Sequence, residues 1–335
     1  MATPLIHTHG LRRTFRTFQR RPGLFGAMRD LLAIGGEERV ALEGLNLDIH
    51  PGERVGLIGP NGAGKSTTVK LLCGILSPTE GTLLVRGRQP HRQRRAHVRD
   101  IGVVFGQRTQ LWWDLAVIEA FDLLAAVFQI PPKDYAERLE RFDAVLGIGE
   151  LLGKPTRELS LGQRMRCDIA AALLHHPPLL LLDEPTIGLD VSVKLKIRSF
   201  VREMNETLGT TIIVTTHDLG DVEAVCDRVL LLHRGQLLFD GSVPALKAHL
   251  GGRRRLVLDL AKPLSPSQQQ QVSAGLRVDA MWPSPQRAAL SFHPKDITAA
   301  ALIQTVLERA PIEDISIEEP SIDEVVAKFY DERRP

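Results

Sequence analysis

Nine consecutive residues, Gly59-Pro60-Asn61-Gly62-Ala63-Gly64-Lys65-Ser66-Thr67, have the types and spacing to hold a chain of phosphates. They fit the pattern G-x-x-x-x-G-K-[ST]. Gly59, Gly62 and Gly64 remove the Cβ atoms that would keep a backbone away from phosphate oxygens. Lys65 offers a cation to β- and γ-phosphates, and Ser66 offers a hydroxyl to magnesium. The flanks agree. Arg54-Val55-Gly56-Leu57-Ile58 reads as a short apolar strand, and Thr67-Thr68-Val69-Lys70-Leu71-Leu72 as the first turns of a helix. Strand, glycine turn and helix start would ring an anion with backbone N–H groups, the positive end of the helix dipole behind them. A chance glycine turn would not bring both flanks.

A second element fits the same chemistry. Leu179-Leu180-Leu181-Leu182 is an apolar run of the kind that forms a strand buried on both faces, and Asp183-Glu184 stands at its carboxyl end. Downstream of a phosphate loop, such a pair divides into two roles. Asp183 would hold magnesium through water, and Glu184 would polarise an attacking water as general base. A charged turn after a strand is common in isolation; in this company it reads as half of a phosphate site.

The elements that must position these residues alternate between strand and helix. Strands are expected at 5–15, 40–49, 54–58, 82–85, 101–105, 179–182, 211–216, 228–232 and 236–239. Helices are expected after the phosphate loop, over 115–146 with a break at Pro131-Pro132, from Ser160 to before His176, and over 191–208 and 218–226. Residues 16–37 look like an insertion. Within it Leu24–Leu32 is amphipathic, suited to a membrane surface or partner helix, and equally to a solvated loop with a short packed helix. Residues 86–99, with six arginines and two histidines, read as a solvated face. Composition shifts near Gly251-Gly252, and 263–271 is polar with four glutamines. A small α/β unit should follow, with strands near 255–260, 276–280, 287–292 and 312–317 and helices near 297–309 and 321–330. The division is therefore 1–245 and 246–335.

At 335 residues, 43% hydrophobic and 24% charged, this is the composition of an ordinary globular protein. A net charge of +2 does not argue for nucleic acid. No run reaches the ~20 apolar residues of a membrane helix, and Met1-Ala2-Thr3-Pro4 opens no signal-peptide core. The chain is expected on the cytosolic side. Cys73, Cys167 and Cys226 lack metal-type spacing and read as small buried hydrophobes.

Leu159-Ser160-Leu161-Gly162-Gln163-Arg164 makes a family resemblance plain. It resembles the signature motif of ATP-binding-cassette (ABC) ATPases, over roughly residues 5–245. The resemblance implies an α/β fold: a P-loop NTPase core with an antiparallel β subdomain and a helical subdomain at about 107–160, here followed by the small C-terminal domain. It implies ATP and Mg2+ at the phosphate loop. Ser160, Gly162 and Gln163 would face the γ-phosphate held by the opposite subunit of a head-to-tail homodimer. Leu161 stands where the family more often has glycine. Gln107 matches the glutamine that touches magnesium and the water. Gly188-Leu189-Asp190 matches the loop that crosses the dimer interface, with Asp190 among the nucleotide-site residues, and His217 matches the switch histidine near the γ-phosphate. Phe15, with Phe18 as a second candidate, sits where an aromatic stacks on adenine.

The same resemblance implies an ATPase subunit at the cytoplasmic face of the plasma membrane, working with separate permease subunits, two in number. The phosphate-loop surroundings and Gly188-Leu189-Asp190 are similar to the bacterial drug- and polysaccharide-export type. The insertion and Gln107-Arg108-Thr109-Gln110-Leu111-Trp112-Trp113 resemble a branch linked in part to viologen-type cations. Trp112 and Trp113 read either as a docking surface or as core. Two alternatives remain: an importer's ATPase, and a soluble ABC ATPase acting on ribosomes or DNA. The second usually needs two cassettes or a long coiled coil; here one cassette is present and the span from Gly64 to Ser160 carries no sustained heptads. A GTPase would want an Asn-Lys-x-Asp reader, which is absent.

Overall fold

The computed structural model describes residues 3–17, 37–106, 108–249 and 254–318. The chain divides into two compact units, residues 1–243 and 244–335.

The first unit opens with strands β1 (Ile6–Thr17) and β2 (Glu37–Ile49). Next, β3 (Arg54–Ile58) runs into the phosphate loop and helix α1 (Lys65–Leu72), followed by β4 (Glu80–Val85). Strands β2, β1 and β4 form an antiparallel sheet in that order. A short helix α2 (Arg94–His97) precedes β5 (Ile101–Phe105). Helices α3 (Val117–Phe128) and α4 (Pro132–Leu146) come next. The break between them has a local cause: Gln129 is left-handed at φ 57°, and Pro132 starts α4 where its missing N–H costs nothing. Helix α5 (Leu161–Leu173), β6 (Leu179–Asp183), α6 (Val191–Leu208), β7 (Thr211–Thr216), α7 (Leu219–Val225), β8 (Arg228–His233) and β9 (Gln236–Ser242) complete the unit.

The larger sheet has the order β5-β6-β7-β3-β8-β9, parallel except for the β8–β9 hairpin. Both faces of its central strands are buried, which is why β6 can be an unbroken run of leucines. Val55, Leu57, Leu181, Ile213 and Leu230 pack there with Val69 and Leu71 of α1. Cys73, Cys167 and Cys226 are buried, and burial pushes each thiol up to about 12.

Helix α8 (Val243–His249) lies at the boundary between the units. The second unit runs β10 (Arg254–Leu260), α9 (Pro266–Ser273), β11 (Val278–Ser284), β12 (Arg287–Phe292), α10 (Ala299–Arg309) and β13 (Ile312–Glu318). Its sheet is antiparallel in the order β11-β12-β10-β13, a β-α-β-β-α-β arrangement. Leu256, Leu258, Leu290 and Phe292 meet Val272 of α9 and Leu302 and Val306 of α10.

One helix is additional to those expected, and one expectation needs correction. The polar stretch 263–271 is largely helix, because Ser265 forms a capping box with Gln268 and Pro266 takes the first helical position. Residues 86–99 are not uniformly a solvated face. His97 is 1% exposed and bonded to the Leu72 carbonyl at 2.7 Å; burial lowers its pKa. Most of the insertion, with its amphipathic segment and Phe18, lies outside the described residues, as do Gln107 and the helix expected near 321–330.

Candidate active site

Three neighbouring strands of the large sheet end at one level. Ile58 of β3 is paired with Thr216 of β7, and Asp183 of β6 with Thr215. The parallel register therefore delivers the phosphate loop, Asp183-Glu184 and His217 to a common rim, the carboxyl edge where open α/β sheets bind ligands.

The loop's glycines are obligatory at two points. Gly59 has φ 152°, and a Cβ there would sit 2.2 Å from the Leu232 carbonyl oxygen. At Gly64, φ 109°, a Cβ would lie 2.8 Å from the Ala41 oxygen. Lys65 is 5% exposed; its Nζ donates to the Gly59 oxygen at 2.6 Å and to that of Pro60 at 3.3 Å. Burial lowers its pKa, opposed by the charges of Glu184 and Asp183.

The two acids differ in company. Asp183 Oδ1 accepts from Ser66 Oγ at 3.2 Å and from Thr215 Oγ1 at 2.5 Å. Glu184 lies between two bases: Oε1 is 3.7 Å from Lys65 Nζ, and Oε2 is 3.2 Å from Nδ1 of the half-exposed His217. Its backbone is left-handed at φ 53°, a conformation costly for a non-glycine residue and held here by its N–H donating to both the carbonyl and the hydroxyl of Thr215.

A cavity of about 380 Å³ faces this rim. It is lined by Asn61, Gly62, Ala63, Gly64, Lys65, Ser66, Thr67 and Glu184, together with Phe15, Arg39, Val40 and Ala41. The residues fit magnesium nucleotide. Magnesium takes few protein ligands beside phosphate oxygens, and Ser66 with Asp183 is such a set. Among the described residues no cluster of three or more His, Cys, Asp or Glu forms a caged metal site.

Phe15 reaches the cavity with the Arg13 guanidinium 4.7 Å from its ring centroid. Sequence reasoning missed Arg39 and Thr215. Arg39 stands opposite Phe15 in the β1–β2 register, and Thr215 opposite Asp183; only strand pairing reveals either.

Ser160, Gly162, Gln163 and Asp190 do not line this cavity. Ser160 caps α5: its Oγ accepts from Gln163 N at 3.3 Å, and Gln163 Oε1 accepts from Ser160 N at 2.9 Å. Asp190 caps α6 by accepting from Val193 N at 2.9 Å. The two helix starts touch, since a Cβ on Gly162 would meet Val193 at 3.3 Å and one on Gly188 would meet Leu161 at 3.3 Å. Trp112 and Trp113 are 46% and 52% exposed, which excludes the core reading.

Helix α5 is also tied to the segment after Gln107. Asp168 Oδ1 accepts from Thr109 Oγ1 at 2.8 Å and from Gln110 N at 3.0 Å. Burial raises its carboxyl to about 6, against the hydrogen bonds. The folded state then holds the proton more tightly than the unfolded chain. Stability from this group is present at low pH and lost as pH rises from about 4 through about 6, up to ~3 kcal/mol. Asp168→Asn, which keeps an accepting oxygen, should gain melting temperature relative to the parent more at pH 7.5 than at pH 5. Calorimetry at both pH values checks this, and an equal difference at both would refute it.

A parallel sheet with a phosphate loop, a strand-end acid pair and a histidine beside the second acid defines a P-loop ATPase domain. Similarity to known proteins carries this to a family. The ABC transporter family model matches residues 42–187. The chain is 30% identical over 206 residues to the ABC transporter ATP-binding protein NatA of Bacillus subtilis, covering 62% of this chain and 83% of NatA. It is 35% identical over 208 residues to the probable multidrug ABC transporter ATP-binding protein YbhF of Escherichia coli, covering 62% of this chain but 36% of YbhF, so it spans about a third of that relative's length. Among solved structures, the ADP- and Pi-bound dimer of the ATP-binding cassette MJ0796, in a post-hydrolysis state, has TM-score 0.60 at 26% identity, with 71% and 98% of the two chains covered. The chain belongs to the ABC transporter ATP-binding proteins, an ATPase family.

Proposed function

We propose that this chain hydrolyses ATP as one half of a head-to-tail homodimer and thereby drives export through separate membrane permease subunits. The observation that carries the hydrolytic reading is the placement of Glu184, 3.2 Å from His217 and 3.7 Å from Lys65, on the rim of the phosphate-loop cavity. Gly59–Thr67 binds the phosphates, with Lys65 leaving its carbonyl partners for phosphate oxygens. Phe15 stacks on adenine. Ser66 and Asp183 hold Mg2+, with Gln107 as a further ligand. Bound there, the ion neutralises charge on the phosphates. Glu184 accepts a proton from the attacking water, and His217 orients Glu184 through Nδ1.

The second active-site half comes from the partner. Ser160, Gly162, Gln163 and Asp190 lie off the cavity in their own chain, at two helix starts that touch each other. A helix start is an anion site waiting for a ligand from outside. In a head-to-tail pair each chain lends this edge to the other's γ-phosphate.

The pore is assigned to other polypeptides; among the described residues no helix is long and apolar enough to cross a membrane. The exposed Trp112-Trp113 pair, just after the Gln107 segment, supplies a docking surface for them. Export rests on the likeness to YbhF, whose name is that of a probable multidrug transporter protein. Residues 246–335 are an accessory domain.

A pull-down of the tagged chain from detergent-solubilised membranes tests the assignment. Two different polytopic permeases are expected. A substrate-binding protein alongside would turn the reading to import, and ribosomal or DNA-associated proteins alone would overturn the transporter role.

A further inference from the structure

We propose that Asp221 is a positioning residue for hydrolysis, holding Glu184 and His217 in register by one buried carboxylate. The inference rests on the assignment of those two as the hydrolytic pair. Asp221 lies on α7 and is 3% exposed. Its Oδ2 accepts from Thr186 Oγ1 and, at 3.3 Å, from Thr216 Oγ1. Its Oδ1 accepts from Arg198 Nε at 3.0 Å and from Arg198 Nη2.

Each donor belongs to a different part of the site. Thr186 is two residues past Glu184, and Thr216 immediately precedes His217. Arg198 is on α6, which starts at the Asp190 cap. Both threonines are buried, at 5% and 3% exposure. Thr216 Oγ1 also accepts from Asp218 N at 3.0 Å, so its single proton is free to go to Asp221. The carboxylate thus sets the direction of both hydroxyls, and the arginine compensates its charge.

This adds a second tie, beside the bonds from Glu184 N to Thr215, to a costly geometry. Glu184 carries a left-handed backbone, and its chain turns at once toward Thr186. Strand pairing fixes Asp183 against Thr215, but no ladder bond reaches His217. Beyond the strand ends, Asp221 is a buried group that touches both loops. A buried network of this kind is worth most when complete, because each lost partner leaves a buried polar group unpaired.

The test is steady-state ATPase kinetics on the purified full chain. Thr216→Val keeps shape and removes the hydroxyl. It should lower kcat about tenfold, the scale of one lost hydrogen bond to a charged group, with KM for ATP within about twofold. In a His217→Ala background the same substitution should cost less than about twofold, because its effect passes through His217. Asp221→Asn should be at least as severe as Thr216→Val, and Thr186→Val should resemble it. If Asp221→Asn does not fold, the two threonine variants decide. Parental kcat in both threonine variants, or an equal loss with and without His217, would overturn the inference. Should His217→Ala itself retain the parental kcat, the hydrolytic pair is wrong, which is a different failure.

Discussion

Glu184→Gln should lower ATP turnover by about 10³-fold, the range of a lost general base, while ATP still binds. The amide matches the carboxylate in shape but cannot take a proton from water. It also removes the negative charge facing Lys65 at 3.7 Å and His217 at 3.2 Å. With repulsion between that charge and a γ-phosphate gone, nucleotide should be held at least as tightly. The closed pair should then persist, because the step that opens it is blocked. Two measurements check this: phosphate release under saturating ATP, and the dimer fraction by light scattering with ATP present. Hydrolysis at the parental rate would remove Glu184 from the role of base.

Lys65→Ala should act at the other end of the cycle and weaken ATP binding by about 100-fold or more, the sum of charge-assisted contacts from one buried cation. Lys65 is buried and bonded to the carbonyls of Gly59 and Pro60. Those bonds hold the ammonium over the loop. Burial leaves that ammonium poorly solvated, which lowers its pKa, and a ligand that brings negative charge compensates it. Alanine removes the cation and leaves Glu184 facing His217 alone. Equilibrium titration with a fluorescent ATP analogue is the measurement, and unchanged affinity would sink the phosphate-loop assignment.

The contrast between the two variants is itself informative. One separates binding from chemistry, whereas the other removes binding and chemistry together. Both side chains lie within 4 Å of each other, so their effects should not add in the double variant.

Much of this site is legible in the amino-acid sequence itself. Phosphate binding demands a fixed local sequence, because the loop's contacts come from its own backbone and only glycine fits positions such as Gly59 and Gly64. A strand buried on both faces must be a continuous apolar run, so β6 announces itself and Asp183-Glu184 with it. Ser160 is readable as a cap because capping uses residues three apart in the chain. In each case the physics is local, and the residues that interact are close in sequence.

Tertiary structure decides the rest, for the opposite reason. That Thr215 supports Asp183, that Arg39 faces Phe15 across a strand pair, and that Asp221 joins Thr186, Thr216 and Arg198 are facts of register between distant segments. Composition does not show that His97, in an arginine-rich stretch, turns inward to the end of α1, nor that a glutamine run is capped into a helix. Trp112 and Trp113 suit core or surface equally well by type, and the packing leaves them exposed. An amino acid's type limits which chemistry it can do; which partner completes that chemistry depends on what the fold carries into hydrogen-bond reach of it.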